Sequence, residues 1–400
     1  MKKLLVFLIL LNAVPAHATV VKFLDPGTDS TFGLEMYGVT STSNGTIASS
    51  STVAHTGPRS IKSDVTMAGG RGGVRTPAAS IADAGGVMCE WVYFSSVSPS
   101  TNTGFIDAEN SGLTRDIFDI ALTTTGKIMI QFTNSTAKTG NTVLSATTWY
   151  QVCVGWVITT TSNWSATVYL NGASEVTTSN ADGTLGGVGV DHFMLGIFIP
   201  GNQSSITSTS ILTVYFDDVY IDNRTDKSYP GSISVTAKLP LSNGTTNGFT
   251  GTGTPSGTGT GNARYVNERA LSATNFVSAS VSAITTEEYN IEGASAGDVN
   301  LTGATLVEVA GWVYAKAALA ETGSIRLNNV DSNISLINAN TMFVVYGATT
   351  TYPAGTGTDI GIITTNLSTT VTLFEAGVNV AYIPAAVTSV RNGLTLMGVR

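Results

Sequence analysis

The chain has 400 residues, enough for two or three domains that each bury a core of their own. Only 12% of it is charged, against roughly 25% in an average soluble domain. Its 19 basic and 27 acidic residues leave a formal charge of −8 without any Lys/Arg run, which argues against nucleic acid or an anionic membrane surface as partner. Thr, Ser, Val, Ala and 43 glycines stand in place of the missing charges. β-branched residues suit a pleated surface and glycines suit tight turns, so an all-β protein is expected.

Residues 1–18 read as a secretory signal peptide. Lys2 and Lys3 form its positive end, Leu4 to Leu11 its apolar stretch, and Ala16-His17-Ala18 an A-x-A cleavage site. The stretch is too short to span a bilayer, and no later one is long and apolar enough. Export is therefore the expected localisation, with Thr19 opening the mature chain. An oxidising compartment permits a disulfide, and there are two cysteines, Cys89 and Cys153. They lie in the predicted strands Cys89-Glu-Trp-Val-Tyr-Phe94 and Trp149-Tyr-Gln-Val-Cys-Val-Gly-Trp156. Either they are bonded between strands or they are two buried thiols.

Beyond the leader no sustained i, i+3, i+4, i+7 apolar pattern occurs. Short β-branched and aromatic runs recur instead, at Lys127 to Phe132, Ala166 to Leu170, Leu212 to Ile221, Leu306 to Ala315 and Thr341 to Tyr346. Clusters of Gly, Asn, Ser and Pro bound them, which predicts antiparallel sandwiches. In Leu306 to Lys316, Val307, Val309, Val313 and Ala315 are expected on one face and Glu308, Tyr314 and Lys316 on the other, as in a half-buried strand. Residues 242–263 are rich in Gly, Thr and Asn and nearly free of core-forming side chains, so they read as a flexible linker or long surface loop. The expected division is a β-domain at 19–226, a connector at 227–263 and a second, smaller β-sandwich at 264–400.

Little in the chain suggests catalysis. Once the leader is removed only His55 and His192 remain, and G-x-S-x-G is absent, so no nucleophile–base arrangement can be built. Both histidines are expected to serve packing. Asp107 and Glu109 share one strand face by period-2 alternation, and Asp116-Ile-Phe-Asp119 follows. No third acid continues the first pair, because Asn110-Ser-Gly112 reads as a turn. The chain is therefore expected not to be an enzyme, and Asp107 and Glu109 are the first acids to mutate if it were one.

Five segments of the first domain occur in an order that resembles concanavalin A-like lectin/glucanase sandwiches of the LamG-like type. Thr56-Gly-Pro-Arg-Ser-Ile-Lys62 resembles their first strand, Cys89-Glu-Trp-Val-Tyr-Phe94 a central strand, and Trp149-Tyr-Gln-Val152 the strand that follows. Val168-Tyr-Leu-Asn-Gly172 is similar to their hairpin, and Tyr215-Phe-Asp-Asp-Val-Tyr-Ile221 to the closing strand. Asn171-Gly172 supplies the positive φ values of a two-residue turn, and Trp91 and Trp149 are expected to fill the core. The resemblance implies a jelly roll, with calcium as the one cofactor to consider, on Asp25, Asp29, Asp217 and Asp218 if the first and last strands lie side by side. Glycan binding through exposed aromatics would fall to Tyr37, Trp164 and Tyr220.

A second resemblance begins at the connector. It runs through Tyr229-Pro-Gly-Ser-Ile-Ser-Val235, Leu239-Pro-Leu-Ser-Asn-Gly-Thr-Thr-Asn-Gly-Phe249, Arg264-Tyr-Val-Asn-Glu268, Thr274-Asn-Phe-Val277, Glu288-Tyr-Asn-Ile291 and Ala310-Gly-Trp-Val-Tyr-Ala-Lys316. The succession resembles β-rich tail or surface proteins of tailed phages of environmental bacteria. It implies a structural role in a virion or surface appendage, with other copies of the chain, other particle proteins or a surface polysaccharide as partners. A secreted carbohydrate-binding module or adhesin is the alternative.

Overall fold

The computed structural model describes residues 20–24, 39–76, 85–110, 116–160, 163–180, 189–199, 204–206, 208–224, 226–255, 257, 259–267, 274–280, 284–297, 299–349, 352, 360–364 and 369–385. The chain opens with β1 (Val20–Leu24), β2 (Val39–Ser43), β3 (Gly45–Ser50), β4 (Ser60–Val65) and β5 (Arg71–Arg75). It continues with β6 (Gly85–Phe94), β7 (Thr103–Glu109), β8 (Asp116–Leu122), β9 (Lys127–Phe132) and β10 (Lys138–Val143). The first sandwich is completed by β11 (Trp149–Thr160), β12 (Asn163–Leu170), β13 (Ala173–Asn180), β14 (His192–Phe198) and β15 (Leu212–Asp222). These form an eight-stranded sheet, β13-β12-β11-β6-β15-β4-β3 with β1 beside β15, and a seven-stranded sheet, β10-β9-β8-β7-β14-β5-β2.

The all-β jelly-roll sandwich expected from the sequence is present, and alternation explains its core. Met88, Val92 and Phe94 of β6 face inward with Val152, Val154 and Trp156 of β11, against Ile106, Phe118, Ile120 and Phe132 of the other sheet. Phe118 and Phe132 meet edge to face at 5.7 Å, and Trp156 lies 5.8 Å from Phe118. Trp156 and Trp164, not Trp91 and Trp149, are the tryptophans of this core. Because side chains alternate with period 2, inward Val92 and Phe94 force Trp91 and Tyr93 outward. Asn171 and Gly172 make the expected turn, at φ 50° and 85°, between the paired residues Leu170 and Ala173.

The second sandwich starts earlier than 264. Its first strands are β16 (Ser234–Lys238), β17 (Pro240–Asn247) and β18 (Thr250–Thr252), followed by the single turn of helix α1 (Ala263–Val266). Then come β19 (Phe276–Ser280), β20 (Thr285–Ile291), β21 (Thr305–Ala317) and β22 (Glu321–Leu327). The last are β23 (Val330–Leu336), β24 (Thr341–Thr349), β25 (Ile360–Thr364) and β26 (Thr370–Ile383). A six-stranded sheet, β18-β19-β26-β21-β24 with β16 beside β26, packs on a five-stranded one, β17-β20-β25-β22-β23.

The expected connector is thus largely part of this domain, held by the buried side chains of Ile233, Val235, Leu239 and Phe249 and, within 242–263, by side-chain amides as well. Asn243 Oδ1 accepts from the Asn262 backbone N–H at 2.6 Å, and Asn262 Nδ2 donates to Phe249 O and Glu287 Oε1, both at 2.8 Å. Glu287 Oε2 in turn accepts from Phe249 N at 2.8 Å. A Cβ at Gly257 would collide with the Asn267 carboxamide, so one glycine of the run is there for close approach.

The two sandwiches stack through the outer faces of the eight- and six-stranded sheets, giving four β-layers. Val87, Cys89, Cys153 and Tyr220 form one apolar cluster with Ile233, Val235, Ala310 and Ala381. This is why β21 is not half-buried as expected. Val309, Val313 and Ala315 face the second core, while Ala310, Trp312 and Tyr314 are covered on the other side by the first domain or the seam beside it.

Candidate functional site

The predicted site residues fall in four different places. Asp25, Asp29 and Tyr37 lie outside the described residues. Trp164 and Tyr220 are only 2% exposed, so neither ring can stack on a sugar. Trp164 belongs to the first core, and Tyr220 packs at the seam between sandwiches, where its hydroxyl donates to Asp222 Oδ2 at 3.0 Å. Cys89 and Cys153 are direct cross-strand partners on β6 and β11 and are joined by a disulfide.

Asp217 and Asp218 form a bulge in β15, where the four residues from Asp217 to Tyr220 lie opposite only three, Trp91 to Cys89, on β6. Asp218 adopts φ 52°, a conformation that Asp tolerates better than most residues. The bulge turns both carboxylates toward the 55–56 turn and toward β16. Asp217 accepts from the backbone N–H groups of His55 (2.9 Å), Thr56 (3.2 Å) and Asp218 (2.9 Å). Asp218 accepts from His55 Nδ1 (2.6 Å), Val235 N (2.8 Å) and the Thr56 hydroxyl. With their oxygens committed to N–H and O–H donors, these two residues clasp the second sandwich to the first; they are not arranged as a calcium site. His55 completes the clasp by stacking on Trp91 at 3.7 Å, and Trp91 Nε1 donates to Ile233 O at 3.2 Å.

The densest chemistry is on the outer face of the seven-stranded sheet. Ile106 and Ala108 of β7 point into the core, so Asp107 and Glu109 point away from it, as alternation predicts. Antiparallel pairing then sets Asp119 of β8 opposite Asp107, and Asp116 opposite Glu109. Carboxylate oxygens of Asp107, Glu109 and Asp116 lie within 4.8 Å of one another, so these are the described residues that could hold a metal ion. Arg75 of β5 reaches across β14 to grip both oxygens of Glu109, with Nη2 donating to Oε1 at 2.9 Å. His192 lies opposite Glu109, its Nδ1 donating to Thr76 O at 2.9 Å and its Nε2 3.3 Å from Asp191.

Burial dominates the electrostatics. The Asp107 carboxyl is pushed well above the usual range, first by desolvation and then by the neighbouring acids Asp119, Asp116 and Glu109. A short segment closes over this part of the face: Gln131 Nε2 donates to Ser204 Oγ at 3.1 Å, and Gln131 Oε1 accepts from Ser205 N at 3.2 Å. Ile206 is buried there against Ala121 and Met129. As a result Asp107 is 4% exposed and Asp119 fully buried.

Sequence reasoning found Asp107, Glu109, Asp116 and Asp119, but neither the Arg75 clamp nor the Gln131 latch. Glu109 lies 34 residues from Arg75 and Ser204 73 residues from Gln131, so no local pattern marks either contact.

No protein-family model matches the chain, and no curated protein matches it. Similar solved structures include an endo-β-1,4-glucuronan lyase from the fungus Trichoderma reesei, 13% identical with a TM-score of 0.41, covering 52% of this chain and 98% of that one. The PL-14 alginate lyase of Aplysia kurodai is 15% identical with a TM-score of 0.38, covering 51% and 99%. The cellulose-induced protein Cip1 is 16% identical with a TM-score of 0.34, covering 46% and 87%. All three are carbohydrate-related proteins by name, and likeness this distant carries no argument about residues or activity.

Proposed function

We propose that this chain is an exported, non-enzymatic structural protein of a virion or surface appendage, whose lectin-like N-terminal sandwich attaches it to glycan. The observation that carries the reading is the closed acidic face. Its central acids, Asp107 and Asp119, are buried beside the Ser204–Ile206 segment, and Glu109 is gripped by Arg75. Fixed, sealed acids suit a scaffold better than a hydrolase. The four stacked layers suit a rigid structural unit as well, because the seam between sandwiches is apolar and is clasped by Asp218. Low charge and abundant Ser and Thr fit a coat in which copies of the chain pack on one another and on other particle proteins.

Peptide mass spectrometry on purified extracellular particles and on particle-free supernatant tests the proposal. Recovery in particles at a fixed ratio to other coat proteins is expected, with Thr19 as the first residue. Recovery only in the supernatant would replace the virion role by that of a secreted glycan-binding module. Loss of viscosity in a polysaccharide solution, abolished by Asp107→Asn or Glu109→Gln, would overturn the non-enzymatic reading.

A further inference from the structure

On β6 the outward residues pass from Val87 and Cys89, packed beneath the second sandwich, to Trp91 at its margin and then to Tyr93. Tyr93 is the direct cross-strand partner of Trp149 on one side and of Tyr215 on the other. These three aromatics therefore form one row across β11, β6 and β15, on the outer face of the eight-stranded sheet. None of them joins an apolar cluster among the described residues. Trp149 and Tyr93 are half-buried and Tyr215 is set deeper. The rings follow one another at 5.5 and 5.6 Å, and the His55–Trp91 stack continues the row, with His55 5.6 Å from Trp149.

We propose that this row is a binding strip for a neutral, soluble polysaccharide chain. The assignment rests on the glycan-attachment reading above and gives it a place. A pyranose presents an apolar C–H face and a rim of hydroxyls, and an aromatic strip with polar edges matches both. Among the described residues the Tyr93 and Tyr215 hydroxyls have no protein partner, which leaves them to a ligand or to water. No aliphatic side chain, such as a protein interface would place in its centre, interrupts the row. Its next member beyond Tyr215 is Lys62, whose charge is neutralised by Asp64 at 2.9 Å, so the strip favours an uncharged glycan. Interplanar angles of 55° and 86° prevent the rings from making one flat platform. A crystalline polymer surface therefore does not fit, and a single flexible chain does.

Affinity gel electrophoresis of the full chain tests this, with mixed-linkage β-glucan, xylan and galactomannan as neutral polymers and alginate as the acidic one. At least one neutral polymer should retard the protein. Tyr93→Ala and Trp149→Ala should each weaken retardation about tenfold or more, while Tyr215→Phe, which keeps the ring, should weaken it less. Asp107→Asn, on the opposite sheet, should leave it unchanged. Melting curves matched to the parent chain exclude misfolding, and Tyr93→Phe serves as the conservative variant should Tyr93→Ala fail to fold. Undiminished retardation of the strip variants would overturn the strip while the glycan reading stood. Retardation by alginate alone would overturn the neutral ligand. Silence on every polymer would overturn glycan attachment itself, and a Tyr93-dependent change of oligomeric state would reassign the strip to protein contacts.

Discussion

Replacing Asp218 by alanine should loosen the joint between the two sandwiches. The carboxylate is 1% exposed and accepts from His55 Nδ1, the Thr56 hydroxyl and Val235 N, which ties β15, the 55–56 turn and β16 together. A hydrogen bond to a charged group contributes about 1.5–3 kcal/mol, and a buried donor left without a partner costs about 1–3 kcal/mol. The Val235 N–H is fully buried, whereas His55 and Thr56 are part-exposed and can turn to water. The total should therefore be less than the sum, about 3–5 kcal/mol, including the strain of alanine at φ 52°. Asp218→Asn keeps an acceptor for Val235 N and tolerates the left-handed conformation, so it should recover roughly half of that loss. Urea unfolding of the full chain, followed by tryptophan fluorescence, measures both values. If Asp218→Ala falls within about 0.5 kcal/mol of the parent, the clasp carries no stability and the reasoning fails.

Three further expectations can be tested in the same way. Removing the disulfide with Cys89→Ala and Cys153→Ala should cost about 4 kcal/mol, from the entropy of freeing a loop with a sequence separation of 64; unchanged urea midpoints would contradict this. Burial pushes the inward-facing Glu90 carboxyl well above its ordinary value, and its Oε2 has no partner among the described residues. The folded state therefore holds a proton that the unfolded chain releases, so the stability linked to this group is full below pH 4.5 and is lost as pH rises toward the raised value. Glu90→Leu should stabilise the chain by about 1–3 kcal/mol at pH 7 and flatten that decline; stability–pH curves parallel to the parent's would refute it. Glu287→Ala should cost about 2–3 kcal/mol by freeing Phe249 N and Asn262 Nδ2, and should open the 250–262 segment to limited proteolysis. Cleavage no faster than in the parent would show that the anchor is elsewhere.

Much of this architecture is local information. Short β-branched runs between turn-formers, the Asn171-Gly172 hairpin, and the shared face of Asp107 and Glu109 follow from propensity and from a period of two, and each can be read from a few consecutive residues. Absolute facing is different. Trp91 and Trp149 were expected inside and Trp164 outside, and the structure reverses both, because a strand with aromatics at neighbouring positions does not say which face meets the other sheet. Residues 242–263 looked like a linker because their anchors, Asn243, Asn262 and Glu287, are polar and engage each other across the fold.

By itself, then, the sequence determined the strand-rich secondary structure and the two-sandwich count. Only the tertiary structure decided that the sandwiches stack through the disulfide-bearing face, that Asp217 and Asp218 clasp the joint, and that Arg75 and Gln131 close over the acids of β7 and β8. Those decisions depend on pairings between residues far apart in the chain. Strand periodicity fixes which side chains travel together on a face, and packing of whole sheets chooses what that face meets.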